Sequence, residues 1–185
     1  MMAVMEIGGN FSYQKQYYGE HDENNQVTRS YSFVLAQYFF TYTGIEFNYS
    51  KEQEITTVNT AYDLYPGVRF VNRQDRQQTD VYGVGIRQML GAQNWPILPV
   101  ISIGYAKQFK GEESDIYYDV SGSELFIHLK KDKERNDAVF GKFTLKIKLT
   151  RTITLTGGVK TVFKAFEWND AKKDVRYNGG ISILL

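Results

Sequence analysis

Met5-Glu-Ile-Gly-Gly-Asn-Phe-Ser-Tyr-Gln-Lys-Gln-Tyr17 is the stretch from which the fold is read. Successive side chains of an extended strand point to opposite faces, so the segment divides by parity. One face carries Met5, Ile7, Gly9, Phe11, Tyr13, Lys15 and Tyr17. The other carries Glu6, Gly8, Asn10, Ser12, Gln14 and Gln16. A mainly apolar face backed by a wholly polar or glycine face is a strand between two different environments.

The same division recurs along the chain. Tyr31, Phe33 and Leu35 oppose Ser30, Ser32 and Ala36; Ile45, Phe47 and Tyr49 oppose Glu46, Asn48 and Ser50. Tyr82, Val84 and Ile86 oppose Gly83, Gly85 and Arg87; Ile101, Ile103 and Tyr105 oppose Ser102, Gly104 and Ala106. Phe143, Leu145 and Ile147 oppose Lys142, Thr144, Lys146 and Lys148; Ile153, Leu155 and Val159 oppose Thr154, Thr156 and Lys160. Tyr177, Ile181 and Ile183 oppose Arg176, Gly180 and Ser182. These patterns predict eight strands, over 4–18, 28–39, 44–56, 79–90, 98–109, 139–149, 153–166 and 175–185, in a single domain spanning 1–185.

The predicted connections alternate in length. Those near 19–27, 57–78, 110–138 and 167–174 are long; those near 40–43, 91–97 and 150–152 are short. Long loops on one side and short turns on the other mark an outer-membrane barrel. An even number of strands puts both termini on the short-turn side. The expected fold is therefore all-β: an eight-stranded antiparallel up-and-down transmembrane barrel, with a lipid-facing apolar exterior and a polar, plugged lumen.

The polar faces support that inversion of inside and outside. They are rich in Gly, Ser and Ala, which suit the narrow interior of eight strands, whereas the apolar faces are bulky and aromatic. Tyr13, Tyr17, Tyr31, Tyr49, Tyr82, Tyr105 and Tyr177, with Phe109 and Phe163, fall toward the long-loop ends. They are expected to form one aromatic girdle; Phe39, Phe40, Tyr42 and Trp95 at the short turns are expected to form the other. Inward positions hold Glu6, Glu46, Glu52, Arg87, Lys142, Lys146, Lys148, Lys160, Lys164 and Arg176. Charges in a narrow lumen require partners, so a salt-bridge network is expected among Glu6, Glu46, Glu52, Arg87, Lys146, Lys148, Lys160 and Arg176. Glu6, Glu46, Arg87 and Lys148 fall at one low height.

Composition narrows the function. The 185 residues carry 22 basic and 21 acidic side chains, a formal charge of +1, which gives no footprint for nucleic acid. There is no Cys, hence no disulfide or thiolate metal site. The mean hydropathy of −0.42 reflects the polar half of each strand. No secretion signal precedes the first strand, so an exported protein is expected to start here in mature form.

The opening strand Glu6–Tyr13, the segment Tyr82-Gly-Val-Gly-Ile-Arg87, the hairpin Leu145–Leu155 and the closing strand Tyr177–Ile183 together resemble the small outer-membrane barrels of the OmpA/OmpX type. The resemblance covers nearly the whole chain. It implies residence in the outer membrane of a Gram-negative bacterium, a monomer in contact with lipid and lipopolysaccharide, and a lumen blocked by ion pairs. One feature departs from the pattern. Such barrels end in an aromatic residue, whereas this chain ends Ile183-Leu184-Leu185, so either that signal is relaxed or the native protein continues.

No cofactor, metal ligand set or catalytic residue is expected. Some small outer-membrane barrels modify lipid A with a His beside a Ser or Asp, but no nucleophile motif accompanies His21 or His128. A small porin is the other alternative. The segments Ile55–Tyr62 and Val68–Val71 flank Asp63-Leu-Tyr-Pro-Gly67; Asp115–Val120 and Glu124–Lys130 flank Ser121-Gly122. Both are expected to be hairpins projecting above the membrane, making adhesion or partner binding through 57–78 and 110–138 the expected role.

Overall fold

The computed structural model describes residues 4–19, 23–92, 95–164 and 175–185. Nine strands follow one another: β1 (Val4–Tyr18), β2 (Asn24–Tyr38), β3 (Thr43–Val58), β4 (Tyr62–Tyr65), β5 (Val68–Met89), β6 (Ile97–Val120), β7 (Ser123–Lys148), β8 (Ile153–Lys164) and β9 (Arg176–Leu184). Each long strand pairs antiparallel with its neighbours. The β1–β9 and β3–β5 pairings close the sheet, so eight strands make the ring and short β4 lies outside it, paired only with β5.

The pairing register measures how far the strands lean. From Phe11 one route runs through Tyr31, Lys51 and Asp80 to Phe109. The other runs through Gly179, Gly157 and Leu145 to Pro99. The two routes meet β6 ten residues apart, at Phe109 and Pro99. With ordinary strand spacings, that stagger over eight strands tilts them by about 40° and sets a backbone radius of about 8 Å. Such a barrel has room for side chains but not for a wide channel.

Burial reports which face is inside. Ile86 is 60% exposed and Tyr31 58%, whereas Glu6 and Arg87 are each 2% exposed and Glu46 is fully buried. Ser102, Thr144, Lys146, Thr156 and Ser182 are also buried. The apolar face meets the surroundings and the polar face fills the interior, as a lipid solvent requires.

The interior also contains an apolar minority. Val34, Ala36, Tyr38, Met89, Leu98 and Val100 are buried toward the short-turn end. Phe140 is fully buried, and its ring occupies the space that Cβ atoms at Gly85 and Gly104 would need: 2.7 Å and 2.6 Å from the nearest ring atoms. Glycine on two neighbouring strands thus makes the socket for one large ring.

The long connections contain the expected hairpins, but their strands are continuous with those of the barrel. The predicted loops 57–78 and 110–138 are mostly strand: β5 begins at Val68 rather than at 79, β6 runs on to Val120, and β7 starts at Ser123. β2 likewise starts at Asn24. The reason is solvent. Above the membrane both faces of a strand meet water, so hydrophobic alternation fades while the hydrogen-bond ladder continues. The Ser121-Gly122 hairpin falls where expected, with φ of 53° and 84° at its two turn residues. The other turn is tighter than Asp63–Gly67, because Tyr62–Tyr65 is itself strand β4.

Candidate functional site: lumen network and extracellular sheet

Two regions carry unusual chemistry: the charged lumen and the sheet beyond the girdle. In the lower lumen, Arg87 reaches from β5 to both acidic partners, with Nη2 3.1 Å from Glu6 Oε1 and Nη1 3.0 Å from Glu46 Oε2. Tyr38 donates to Glu6 Oε2 at 2.9 Å and Ser102 donates to Glu46 Oε2 at 2.7 Å. Lys146 also pairs with Glu6, and Lys142 lies 3.8 Å from Glu46 Oε1. Higher up, Arg176 holds Glu52 with two contacts, Nη2 to Oε1 at 3.1 Å and Nε to Oε2 at 3.3 Å. Lys160 donates to Ser50 Oγ at 2.9 Å.

Seven of the eight expected network residues therefore reach into the lumen's polar contacts. Lys148 does not: among the described residues it has no ion pair. It lines a cup at the short-turn mouth with Lys146 and Arg151, because it lies too near the strand end to face the carboxylates. Lys142, inward by the same parity, takes its place beside Glu46. The side chain of Lys164 and all of His21 lie outside the described residues.

The expected outer girdle faces outward. Tyr13, Tyr17, Tyr31, Tyr49, Tyr82, Tyr105 and Tyr177 all lie on the exterior parity, and six of them are among the exposed large side chains. The other, Tyr49, packs against Tyr82 with centroids 5.0 Å apart and donates to Asp80 at 3.1 Å. Phe11 and Tyr31 meet at 5.1 Å, and Tyr105 donates to Asp137. Phe163 departs from expectation: it is buried. Phe39, Phe40, Tyr42 and Trp95 are exposed at the short-turn end.

Beyond the girdle, β5, β6 and β7 continue as a sheet that β4 widens. The fourteen residues of β7 from Ser123 to Asn136 would rise about 35 Å at the barrel's tilt. Exposed charge pairs run along this sheet. Glu112 pairs with Lys131 at 2.8 Å and with Lys110 at 3.0 Å, and Glu113 pairs with Lys130 at 2.8 Å. Asp115 takes Arg76 at 3.3 Å and His128 Nδ1 at 2.6 Å. The hydrogen bonds from Lys131 and then Lys110 hold the Glu112 carboxyl down to about 2. Lys130 likewise lowers Glu113. Toward the tip, Tyr62 stacks on Phe70 at 5.0 Å, and Phe70 meets the edge of Tyr118 at 5.9 Å. On the opposite face Tyr117 packs on Phe126. Leu125, Phe126 and Leu129 are exposed.

β7 has a different environment along its two edges. β6 pairs with it from Ser123 to Ile147, whereas β8 pairs with it only from Ala138 to Lys148. Among the described residues, the second edge of Ser123–Asp137 has no strand beside it.

No family model matches the chain, and no curated protein matches it in sequence. Solved structures do match in fold. The N-terminal β-barrel domain of OprF from Pseudomonas aeruginosa is similar over 99% of this chain and 97% of its own, at 10% identity and a TM-score of 0.55. Ail, the attachment invasion locus protein of Yersinia pestis, in complex with the heparin analogue sucrose octasulfate, is similar over the full length of both chains, at 8% identity and a TM-score of 0.51. The fold is that of the small outer-membrane barrels of the OmpA/OmpX type. The likeness is one of fold, and the exterior of this barrel is an apolar belt.

Proposed function

We propose that this barrel sits in the bacterial outer membrane as a monomeric anchor with a sealed lumen, and that its work is done by the β4–β7 sheet. That sheet is a docking surface for an extracellular protein or a neighbouring cell surface. The observation that carries the reading is the second edge of β7. From Ser123 to Asp137 its backbone N–H and C=O groups face outward beside no described strand, and such an edge accepts an added strand. Exposed Leu125, Phe126 and Leu129 supply apolar contacts at the distal half, and the charged run Lys130–Asp137 discourages indiscriminate pairing nearer the membrane.

The Ail complex raises binding of a sulfated sugar as a second reading. The charge pattern favours the first. Lys110, Lys130, Lys131 and Arg76 are each paired with a carboxylate within the sheet, so much of the basic charge is internally neutralised. Catalysis is not part of the proposal: His128 pairs with Asp115 within the exposed sheet at 2.6 Å, and His21 lies outside the described residues. Steady conduction is not part of it either, because Arg87, Lys146 and Tyr38 bridge the narrow lower lumen.

Deleting 115–130 tests the assignment. The barrel should still refold in detergent and resist heat in unboiled gels, while binding to host-cell or bacterial surfaces is lost. Binding retained by the deletion variant would sink the proposal.

A further inference from the structure

The second edge of β7 has a direction and a sequence. The two-residue turn makes Val120 and Ser123 a hydrogen-bonded pair, so odd-numbered residues from Ser123 to Leu129 spend their backbone groups on β6. Glu124, Phe126, His128 and Lys130 direct theirs at the other edge. Chain length keeps the distal part of that edge uncovered. Lys164 pairs with Ala138, and Arg176 pairs with Lys160. The twelve steps between Lys164 and Arg176, at about 3.4 Å each, allow a climb of about four residues past Lys164 before the return. The edge of Ser123–Lys133 lies largely beyond that reach.

The side chains along this edge lack partners of two kinds. Leu125 and Leu129, 47% and 53% exposed, flank Ile127 on one face. On the other face Glu124 stands opposite Asp119, a like-charge pair across the ladder, and no ion pair of the described residues includes Glu124. A second β7 supplies both. Two copies of one strand related by a two-fold axis pair antiparallel about a central residue, and each side chain keeps its own face. Centred on Ile127, the pairing sets Leu125 against the second copy's Leu129, Phe126 against its His128 and Glu124 against its Lys130, each contact made twice. Centred on His128, it would set Glu124 against Asp132; centred on Leu129, against Glu134.

We propose that β7 pairs with β7 of a second copy of this chain on a facing membrane, centred on Ile127. The inference rests on the docking role of the β4–β7 sheet and names its partner. The two-fold axis stands perpendicular to the sheet, so the second barrel points the opposite way. Barrels within one membrane stay separate, and each pairing bridges two surfaces. One bridge of a short strand is weak; many between two surfaces add through avidity.

Lipid vesicles carrying the refolded full chain, labelled in two colours, test this through tethering, read as two-colour coincidence. Wild-type vesicles should tether one another and not protein-free vesicles. E124K and K130E should each lower tethering among themselves by about tenfold or more, since each sets like charges opposite one another twice per pairing. E124K vesicles mixed with K130E vesicles should tether again, because the mixture restores both opposite-charge contacts. Unboiled gels establish that each variant is folded. Wild-type vesicles that do not tether, or that tether protein-free vesicles equally, would overturn self-pairing. So would folded single variants that tether as the wild type does, or a mixture of them that does not recover. A wild-type protein that binds other cell surfaces through 115–130 without tethering itself overturns self-pairing and leaves the docking reading standing; a 115–130 deletion that keeps all binding removes both.

Discussion

Arg87 is the residue on which the lower lumen depends. It is 2% exposed, and its two Nη atoms serve Glu6 on β1 and Glu46 on the neighbouring strand β3. Removing one partner of a buried ion pair leaves the other charge stranded. Arg87→Met is therefore expected to destabilise the barrel by about 3–5 kcal/mol, read from urea unfolding in detergent. An effect below 1 kcal/mol would mean that Lys146, Lys142 and the hydroxyls of Tyr38 and Ser102 suffice. Glu112 gives a second test at this scale, outside the membrane. Its carboxyl is held down to about 2 against an ordinary 4.5. A depressed carboxyl stabilises the folded form fully above its unfolded value and loses that contribution as pH falls through the folded one. Carboxyl NMR should find the Glu112 midpoint near 2, moving toward 4.5 in Lys131→Met. Amide protection around 110–114, corrected for intrinsic exchange, should decline between those values while the barrel strands hold. The pair is solvent-exposed, so the effect on stability is small.

At the scale of elements, the β6–β7 hairpin shows how turn chemistry and ladder work together. Val120 pairs directly with Ser123, leaving a two-residue turn whose residues both have positive φ. Ser121 adopts the left-handed region at a modest cost, whereas Gly122 does so freely. Gly122→Val should cost about 1–2 kcal/mol locally. The measurement is hydrogen exchange: protection at Ile116–Asp119 and at Leu125–Leu129 should fall in the variant, with β1 and β9 unchanged. If exchange across 116–129 is already rapid in the parent protein, the hairpin does not persist in solution and the docking proposal loses its platform. The ladder of Glu112–Lys131 and Glu113–Lys130 contributes register more than stability, since exposed pairs are individually weak and β-strand register is otherwise weakly specified where both faces are wet.

For the whole molecule, the stagger of ten over eight strands, the outward apolar belt and the ring closure describe a barrel that needs lipid as its solvent. The protein should refold from denaturant only in detergent or lipid, and unboiled samples should migrate apart from boiled ones. A soluble monomer without detergent would contradict the exterior assignment. In planar bilayers the reconstituted protein should give no large, stable conductance steps; such steps would open the lumen that the Arg87 bridges are proposed to seal.

Parity is local, and local patterns were legible. The alternation in Met5–Tyr17, repeated at Tyr82–Arg87 and Lys142–Lys148, was enough to name the lipid face, the lumen face and the outward tyrosines, because strand geometry sends every second side chain to the same side. The identity of each ion pair was not legible. Glu6 meets Arg87 and Lys146 across the ring, and whether Lys142 or Lys148 stands beside Glu46 depends on a stagger that exists only once β1 closes on β9 and β3 on β5. The turn signals disclosed the hairpins around Asp63–Gly67 and Ser121-Gly122, but not that β5, β6 and β7 run unbroken from the barrel into them. Above the bilayer no apolar solvent sorts one face from the other, so the strands continue on backbone pairing and cross-strand charge, which are tertiary quantities. Sequence alone determined which way each membrane strand faces, since lipid and lumen impose a period of two; tertiary structure alone decided which charges meet and how far the sheet rises, since both depend on register between residues distant in the chain.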